Sequence, residues 1–460
     1  MPVSTQQMQA WCETLLDEEP TGLTLQDYLE AIPRLESLDD VPPGTPVLVR
    51  GDVDAKPGEK IGDGDIRLRS MLDTLEYGRQ HGWKQIIVGH IGRKPEGSLA
   101  KVAKRLGELL GTEVPLVTDW LNESTMTIPD QLTLLIASAA PGSVLMLENT
   151  RRYAIETALW TATVETLPDL APRLAKLADQ FADKVANVYV NEALSAGSLD
   201  ASSVVVPVAM ERVALGKYVA SEFDGPMQRC LQTRLVVFSG LKIDKLDDLE
   251  AMISRGTIRT VFAAGSLAMA LKKAIAELDG KVVSLGVAED PAHKDKPYYI
   301  PRERIEQAKQ MVREGREKGI EFVVPIDSVV ADGSVKDELS PTDQQFDVGP
   351  KTSAMFANKV EEFLAGDTKG AVVFHNGVFG MFEDPRFEEG TRAFMAELKH
   401  MKDAGVEVYI GGGEGGTALD KYGQPDWVTH VFTAGGTVLN ALGSKPVPYL
   451  IALRLASQKK

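Results

Sequence analysis

Cysteine is nearly absent: only Cys12 and Cys230 occur in 460 residues, far apart in the chain. No disulfide framework follows from such a pair, and a reducing cytoplasm is the expected setting. No apolar run approaches the ~20 residues that a bilayer span requires, so no membrane role is expected. The opening "MPVSTQQMQAWCETLLDEEP" lacks a basic stretch leading into an apolar core, which argues against a secretory signal. Positive charge is also short, with 50 Lys and Arg against 66 Asp and Glu, a net charge of −16. Nucleic acid is therefore not expected as a main partner, although a few arginines gathered in one cleft can hold a small anion. No Ser-His-Asp set or cysteine nucleophile stands out, and no glycine turn matches the Walker phosphate loop.

What remains is an ordinary soluble composition, 43% hydrophobic and 25% charged, in a chain long enough for two or three domains. The first forty residues are acidic, with Arg34 their only basic residue. They read as an appended surface element with one or two short helices, one starting near Thr24 or Leu25. From Val47 onward, "PVLVR", "QIIVGH", "SVLMLEN" and "NVYVNEA" are short β-rich runs separated by helical stretches. In "GSLAKVAKRLGELLG", Leu99, Val102, Ala103, Leu106, Leu109 and Leu110 share a helical face, Ser98 suits the N-cap and Gly111 the stop. The alternation pauses at "MERVALGKYVASEFDGPMQRCLQTR", which reads as helical. It resumes with "RLVVFSG", "TVFAAG", "KVVSLG", "EFVVPID", "GAVVFHNG", "EVYIGGG" and "THVFTAGG". Strands apolar on both faces and alternating with helices predict two doubly wound parallel-sheet α/β domains facing a cleft, joined by a helix near residues 210–225.

Ligands of open α/β sheets lie beyond the carboxyl ends of the strands. In the first half those positions carry Asp52 and Asp54, His90 and Arg93, and Arg151 and Arg152, with Arg67 in a turn entering a helix. Alone, a loop arginine is usually a solvated side chain. Several at successive strand ends suit a small polyanion, because guanidinium forks grip carboxylate or phosphate bidentately. The second half is glycine-rich at the same places. "FAAGSLAMAL", "IGGGEGGTAL" and "FTAGGTVLNAL" each run from strand through glycine into helix, a turn that presents backbone N–H groups to a phosphate.

The ordered set "VLVRGDVD", "DIRLRSMLDTL", "GHIGRKPEGSLAKVAKRLGELLG", "LENTRRY", "YVNEA", "SGLKIDKL", "DVGPKT", "HNGVFGMFE" and "GGGEGGTAL" resembles the phosphoglycerate kinase family over roughly residues 41–445. The resemblance implies a kinase that interconverts ATP plus 3-phosphoglycerate with ADP plus 1,3-bisphosphoglycerate using Mg²⁺, by hinge closure of two domains. It implies an acidic extension at 1–40, an acid-substrate domain at 41–215 on which 446–460 can pack back, and a nucleotide domain at 216–445. Asp52, Val53, Asp54, Arg67, His90, Ile91, Gly92, Arg93 and Arg151 would bind the acid. Gly240, Lys245, Gly265, Asn376, Glu383, Gly412, Gly413, Glu414 and Gly415 would bind the nucleotide. Arg67 and Lys242 would be catalytic, and Glu414 would hold the metal. A cytoplasmic monomer without nucleic-acid or membrane partners is expected.

The chain also departs from the family pattern. Asp54 stands where the family has Asn. After "YVNEA" the family reads FGTAHRAHAS, whose Arg and His help grip the substrate phosphate, whereas this chain reads "LSAGSLDASS" and adds Asp200. "HNGVFGMFE" lacks the family's Trp and Pro, and "GGGEGG" has Glu for Asp. Three readings stay open: an active 3-phosphoglycerate kinase with Arg152 filling the gap, a kinase for another small acid, or a weakly active nucleotide-binding relative.

Overall fold

The computed structural model describes residues 2–17, 22–57, 65–241, 243–443 and 446–459. The chain divides into two compact units, Met1–Asp224 with Lys445–Lys460, and Gly225–Ser444.

The first unit is built on six parallel strands: β1 (Pro46–Gly51), β2 (Lys84–Val88), β3 (Leu116–Val117), β4 (Val144–Leu147), β5 (Val188–Glu192) and β6 (Arg212–Leu215). Their spatial order is β3-β4-β2-β1-β5-β6. β1 is central, pairing Val47 with Gln85 of β2 on one side and with Val188 of β5 on the other. Later strands thus add to either side of β1, and a crevice opens at its carboxyl end. Val47 and Val49 join Leu68, Leu75, Ile87, Val102, Leu106, Met146 and Val190 in one core, and Leu48 on the opposite face is also buried, so the strand is apolar because both its faces are covered.

Helix Ala100–Leu110 buries Val102, Ala103 and Leu106 and stops at Gly111, whose φ of 63° is left-handed. Ser98 does not cap it in the expected way. Leu99 is the N-cap residue, and the Ser98 hydroxyl donates to Glu148 at 2.8 Å. Thr24 does cap its helix, Leu25–Ala31, in a reciprocal capping box with Asp27. Residues before 41 pack on the unit itself: the Trp11 indole N–H donates to the Val204 carbonyl at 2.7 Å. The stretch read as helical from Met210 starts instead with β6, whose valine-containing run completes the sheet edge. Helix follows only from Lys217.

The second unit has β7 (Thr233–Phe238), β8 (Thr260–Ala263), β9 (Glu321–Val323), β13 (Val372–Asn376), β14 (Glu407–Gly411) and β15 (His430–Phe432), with a small antiparallel sheet of β10 (Ser328–Val330), β11 (Val335–Lys336) and β12 (Gln345–Val348). The parallel order is β15-β14-β13-β7-β8-β9, so the chain changes direction between β7 and β13. "KVVSLG" is not a strand: it is irregular and leads into a short 3₁₀ turn at Gly286–Glu289, with Val282 97% exposed. Three apolar residues alone cannot fix a strand that finds no sheet edge to join.

Candidate active site

At the carboxyl end of β1 the chain turns through Asp52, Val53 and Asp54. Asp52 is buried. Its Oδ1 accepts from the Ser195 hydroxyl at 2.7 Å and lies 3.7 Å from Nε of Arg67. Its Oδ2 has no hydrogen-bond partner among the described residues. A buried carboxylate oxygen left unmatched costs free energy unless a ligand hydroxyl or amide supplies the donor. Asp54 accepts the Gly92 N–H at 2.9 Å on Oδ1 and meets Nη1 of Arg67 at 3.2 Å through Oδ2. Arg67, on helix Ile66–Ser70, also donates to the Asp54 carbonyl at 3.0 Å. Val53 is buried beneath this turn, and the Ile91 N–H donates to Asn149, which fixes the loop holding Gly92.

Beside this turn lies a second charge cluster. Arg50, the last side chain of β1 before Gly51, is only 1% exposed. Its guanidinium donates to the Ser203 hydroxyl at 2.9 Å, to the Gly51 carbonyl at 2.8 Å and to Nδ1 of His90 at 2.9 Å. Nδ1 of His90 lies between that guanidinium and an Asp200 oxygen 3.3 Å away, so it accepts from Arg50 in one tautomer and donates to Asp200 in the other. Burial, reinforced by the neighbouring guanidiniums, holds the imidazole below its ordinary range. Asp200 enters this cluster from the loop after β5. One carboxylate oxygen lies 3.2 Å from Nη2 of Arg151, 3.5 Å from Arg50 and 3.3 Å from His90. The other accepts the Trp160 indole N–H at 3.0 Å. Burial alone would raise the Asp200 pKa, but the contacts to His90, Arg50 and Arg151 outweigh it and hold it well below the usual carboxylate range.

Arg151 lies over the Trp160 ring at 4.8 Å and donates to the Gly92 carbonyl at 2.7 Å. Arg93 is exposed. Arg152 does not join the cluster; it is drawn to Glu148 at 3.4 Å. Glu148 itself is kept low: burial would raise it, but N–H groups of Leu99 and Asn149 and the Ser98 hydroxyl win.

The second unit carries a pocket of about 300 Å³ where its strand order reverses. Gly240 follows β7, Gly265 and Ser266 open helix Gly265–Leu278, and Glu414 lies in the first turn of helix Gly413–Tyr422. Val287, Tyr298, Phe346, Val378 and Phe379 supply apolar walls, and Glu383 stands at the rim. Apolar walls suit a flat heteroaromatic group, and the glycine-rich helix start suits its anionic tail. The approach of β7 to β13 depends on Gly377. Its φ is +97°, and an added Cβ would lie 2.1 Å from the Ser239 carbonyl oxygen.

Of the expected nucleotide residues, Gly240, Gly265, Glu383 and Glu414 line the pocket. Gly412, Gly413 and Gly415 form the adjoining helix start, and the Asn376 amide holds that turn by donating to the Gly411 carbonyl at 2.8 Å. Lys245 opens helix Lys245–Ser254, and its ammonium donates to the Ser239 carbonyl at 2.6 Å. Lys242 lies outside the described residues. His375, where the family pattern has Trp, is buried. Burial and Lys245 push its pKa down to about 3, so it packs as a neutral ring against Phe394. Among the described residues no group of three or more His, Cys, Asp or Glu could hold a metal. Glu414 alone fits a hydrated cation that arrives with nucleotide phosphates better than a resident ion.

Sequence reasoning did not single out Arg50, Ser195 or Trp160. Arg50 had a signal: a guanidinium closing a fully buried strand must be paired inside the protein.

Two parallel-sheet units, one with arginines and carboxylates gathered at the end of β1 and one with a pocket at glycine-rich helix starts, define a two-domain α/β protein. The family model for phosphoglycerate kinase matches residues 38–445, and the chain belongs to that family. The phosphoglycerate kinase of Geotalea daltonii is 30% identical over 407 residues, covering 84% of this chain and 89% of its own length. That of Clostridium beijerinckii is 28% identical over 423 residues, covering 89% and 96%. The phosphoglycerate kinase structure from Pyrococcus horikoshii matches at a TM-score of 0.69 and 24% identity, covering 93% of this chain and all of its own, which speaks to the fold.

Proposed function

We propose that the chain is a working phosphoglycerate kinase, moving a phosphoryl group reversibly between ATP and the carboxylate of 3-phosphoglycerate. The observation that carries this reading is the Asp52–Asp54–Arg67 turn, with an orphaned Asp52 oxygen available to a substrate hydroxyl. The first unit would hold the acid and the second the nucleotide. The nucleophile is a carboxylate, ionised at neutral pH because its pKa is near ~4, so no general base is needed. Catalysis then rests on positioning and on neutralising the oxygens of the transferring group. Arg67 would act there from the acid side, and by resemblance Lys242 from the nucleotide side. Glu414 would hold Mg²⁺, which when bound neutralises nucleotide phosphate charge. A relative from Triticum aestivum described as cytosolic, 29% identical, supports a cytoplasmic setting.

The test is a coupled assay of ATP consumption across a panel of small carboxylic acids. Turnover with 3-phosphoglycerate at an ordinary kinase rate supports the reading. Turnover only with a different acid would move the chain to another substrate within the same chemistry.

A further inference from the structure

We propose that Asp200 is a resident counter-ion in the acid site, and that it sets how strongly this protein rewards a distal phosphate on its substrate. The inference rests on the kinase reading above and deepens it.

Asp200 is fully buried, and its carboxylate sits among Arg50, His90, Arg151 and Trp160 in the manner of a bound anion. With His90 neutral, the permanent charges in this cluster are two guanidiniums, and one of them is already matched. Arg151 shows what is withheld. Its side chain is only 8% exposed; one terminal nitrogen is spent on Asp200, another on the Gly92 carbonyl, and its buried Nε has no partner among the described residues. A guanidinium so placed has donors in reserve but little net charge to offer. A dianionic phosphate approaching it meets a carboxylate that is held in place by the indole N–H and cannot retreat into solvent. Arg152 is drawn to Glu148 and does not restore the missing cation.

Neutralising Asp200 should free Arg151 for the phosphate. One charge-assisted hydrogen bond gained corresponds to about 10- to 100-fold in affinity. Asp200→Asn keeps the shape and an acceptor for Trp160 while removing the charge; Asp200→Ala serves as the second variant. Calorimetric dissociation constants for 3-phosphoglycerate need no turnover and give the primary readout. The expected result is tightening by about 10- to 100-fold in Asp200→Asn, with ATP affinity within about twofold of wild type. Steady-state assays should show the same factor in KM for the acid and little change in kcat. Unchanged or weaker binding of 3-phosphoglycerate by a folded variant overturns the proposal.

If neither variant folds, the wild type decides by its preference in kcat/KM for 3-phosphoglycerate over glycerate, or by the matching affinity ratio. Two unhindered charge-assisted contacts, one from each guanidinium, would give a preference of at least about 10²-fold, so a smaller value supports the proposal and a larger one overturns it. Failure of the kinase reading looks different: neither acid is phosphorylated, while the binding comparison still decides the role of Asp200.

Discussion

Replacing Glu192 by glutamine should flatten the dependence of stability on pH. Glu192 ends β5 and is completely buried. It accepts the Tyr218 N–H at 3.0 Å and the Val219 N–H at 3.3 Å from helix Lys217–Glu222. Burial raises its pKa from 4.5 to about 7, against the lowering effect of those donors and of Thr74. The folded protein therefore keeps this proton to higher pH than the unfolded chain does. The stabilisation is complete below pH 4.5 and is lost as pH rises through about 7. At about 1.4 kcal/mol per pKa unit, the loss between pH 4 and pH 8 is about 3 kcal/mol, a large part of a typical domain's stability. Glutamine removes the titration but keeps one oxygen, and because the Tyr218 and Val219 N–H groups bond separate carboxylate oxygens, one of them loses its acceptor. Glu192→Gln should thus start below wild type near pH 5 and stay level towards pH 8, where wild type falls. Urea unfolding followed by tryptophan fluorescence is the assay, since Trp11, Trp83, Trp120 and Trp160 all lie in the first unit. Asp347, pushed up to about 7 by burial in the second unit, adds a slope of the same sign that this variant leaves intact. A variant whose first-unit transition keeps the full wild-type pH slope would refute the reasoning.

Arg151→Ala should raise KM for the acid and spare that for ATP, because Asp200 loses a partner and stands as an uncompensated negative charge beside the acid. A larger effect on ATP would take the acid site away from the first unit. Lys242→Ala should lower kcat by orders of magnitude with nucleotide affinity nearly unchanged, as a charge engaged mainly in the transition state does. Near-normal turnover would remove Lys242 from the mechanism. Gly377→Ala forces a Cβ to within 2.1 Å of the Ser239 oxygen at a φ of +97°, and should cost about 3 kcal/mol or more with loss of ATP binding. A calorimetric titration with ATP alongside a melt checks both.

The sheets were legible because each buried strand leaves a short β-rich run, and "PVLVR" or "GAVVFHNG" has no other low-energy fate. β6 was hidden because Arg212–Leu215 is only four residues long and runs straight into a helix. β3 was hidden because two residues carry no period at all. The glycine-rich starts of the second unit showed in the sequence since Gly265 and Gly412 take left-handed φ values of +65° and +96° that favour glycine. The acid site was legible in its parts and not in its balance. Asp52, Asp54 and Arg67 lie close in sequence, and their pairing follows from one turn. Arg50 and Asp200 lie 150 residues apart, and only the pairing of β1 with β5 brings the loop carrying Asp200 to the end of β1.

That balance explains why retained cations are a poor guide to what this site grips. Asn at position 54 could take the Gly92 N–H with one oxygen and leave Arg67 its full charge. Asp54 takes that N–H and spends its second oxygen on Arg67. Asp200 does the same to Arg151. Both departures from the family pattern act in one direction, each placing a carboxylate on an arginine of the proposed acid site. In a partly buried site such a pair is screened far less than on the surface, so each carboxylate cancels most of one guanidinium's long-range pull. The arginines then act through hydrogen-bond geometry rather than net charge. On the proposed reading, recognition of the acid would fall to the orphaned Asp52 oxygen and to the directions of the Arg67 and Arg151 forks, which would select for a hydroxyl-bearing carboxylate more sharply than for total negative charge.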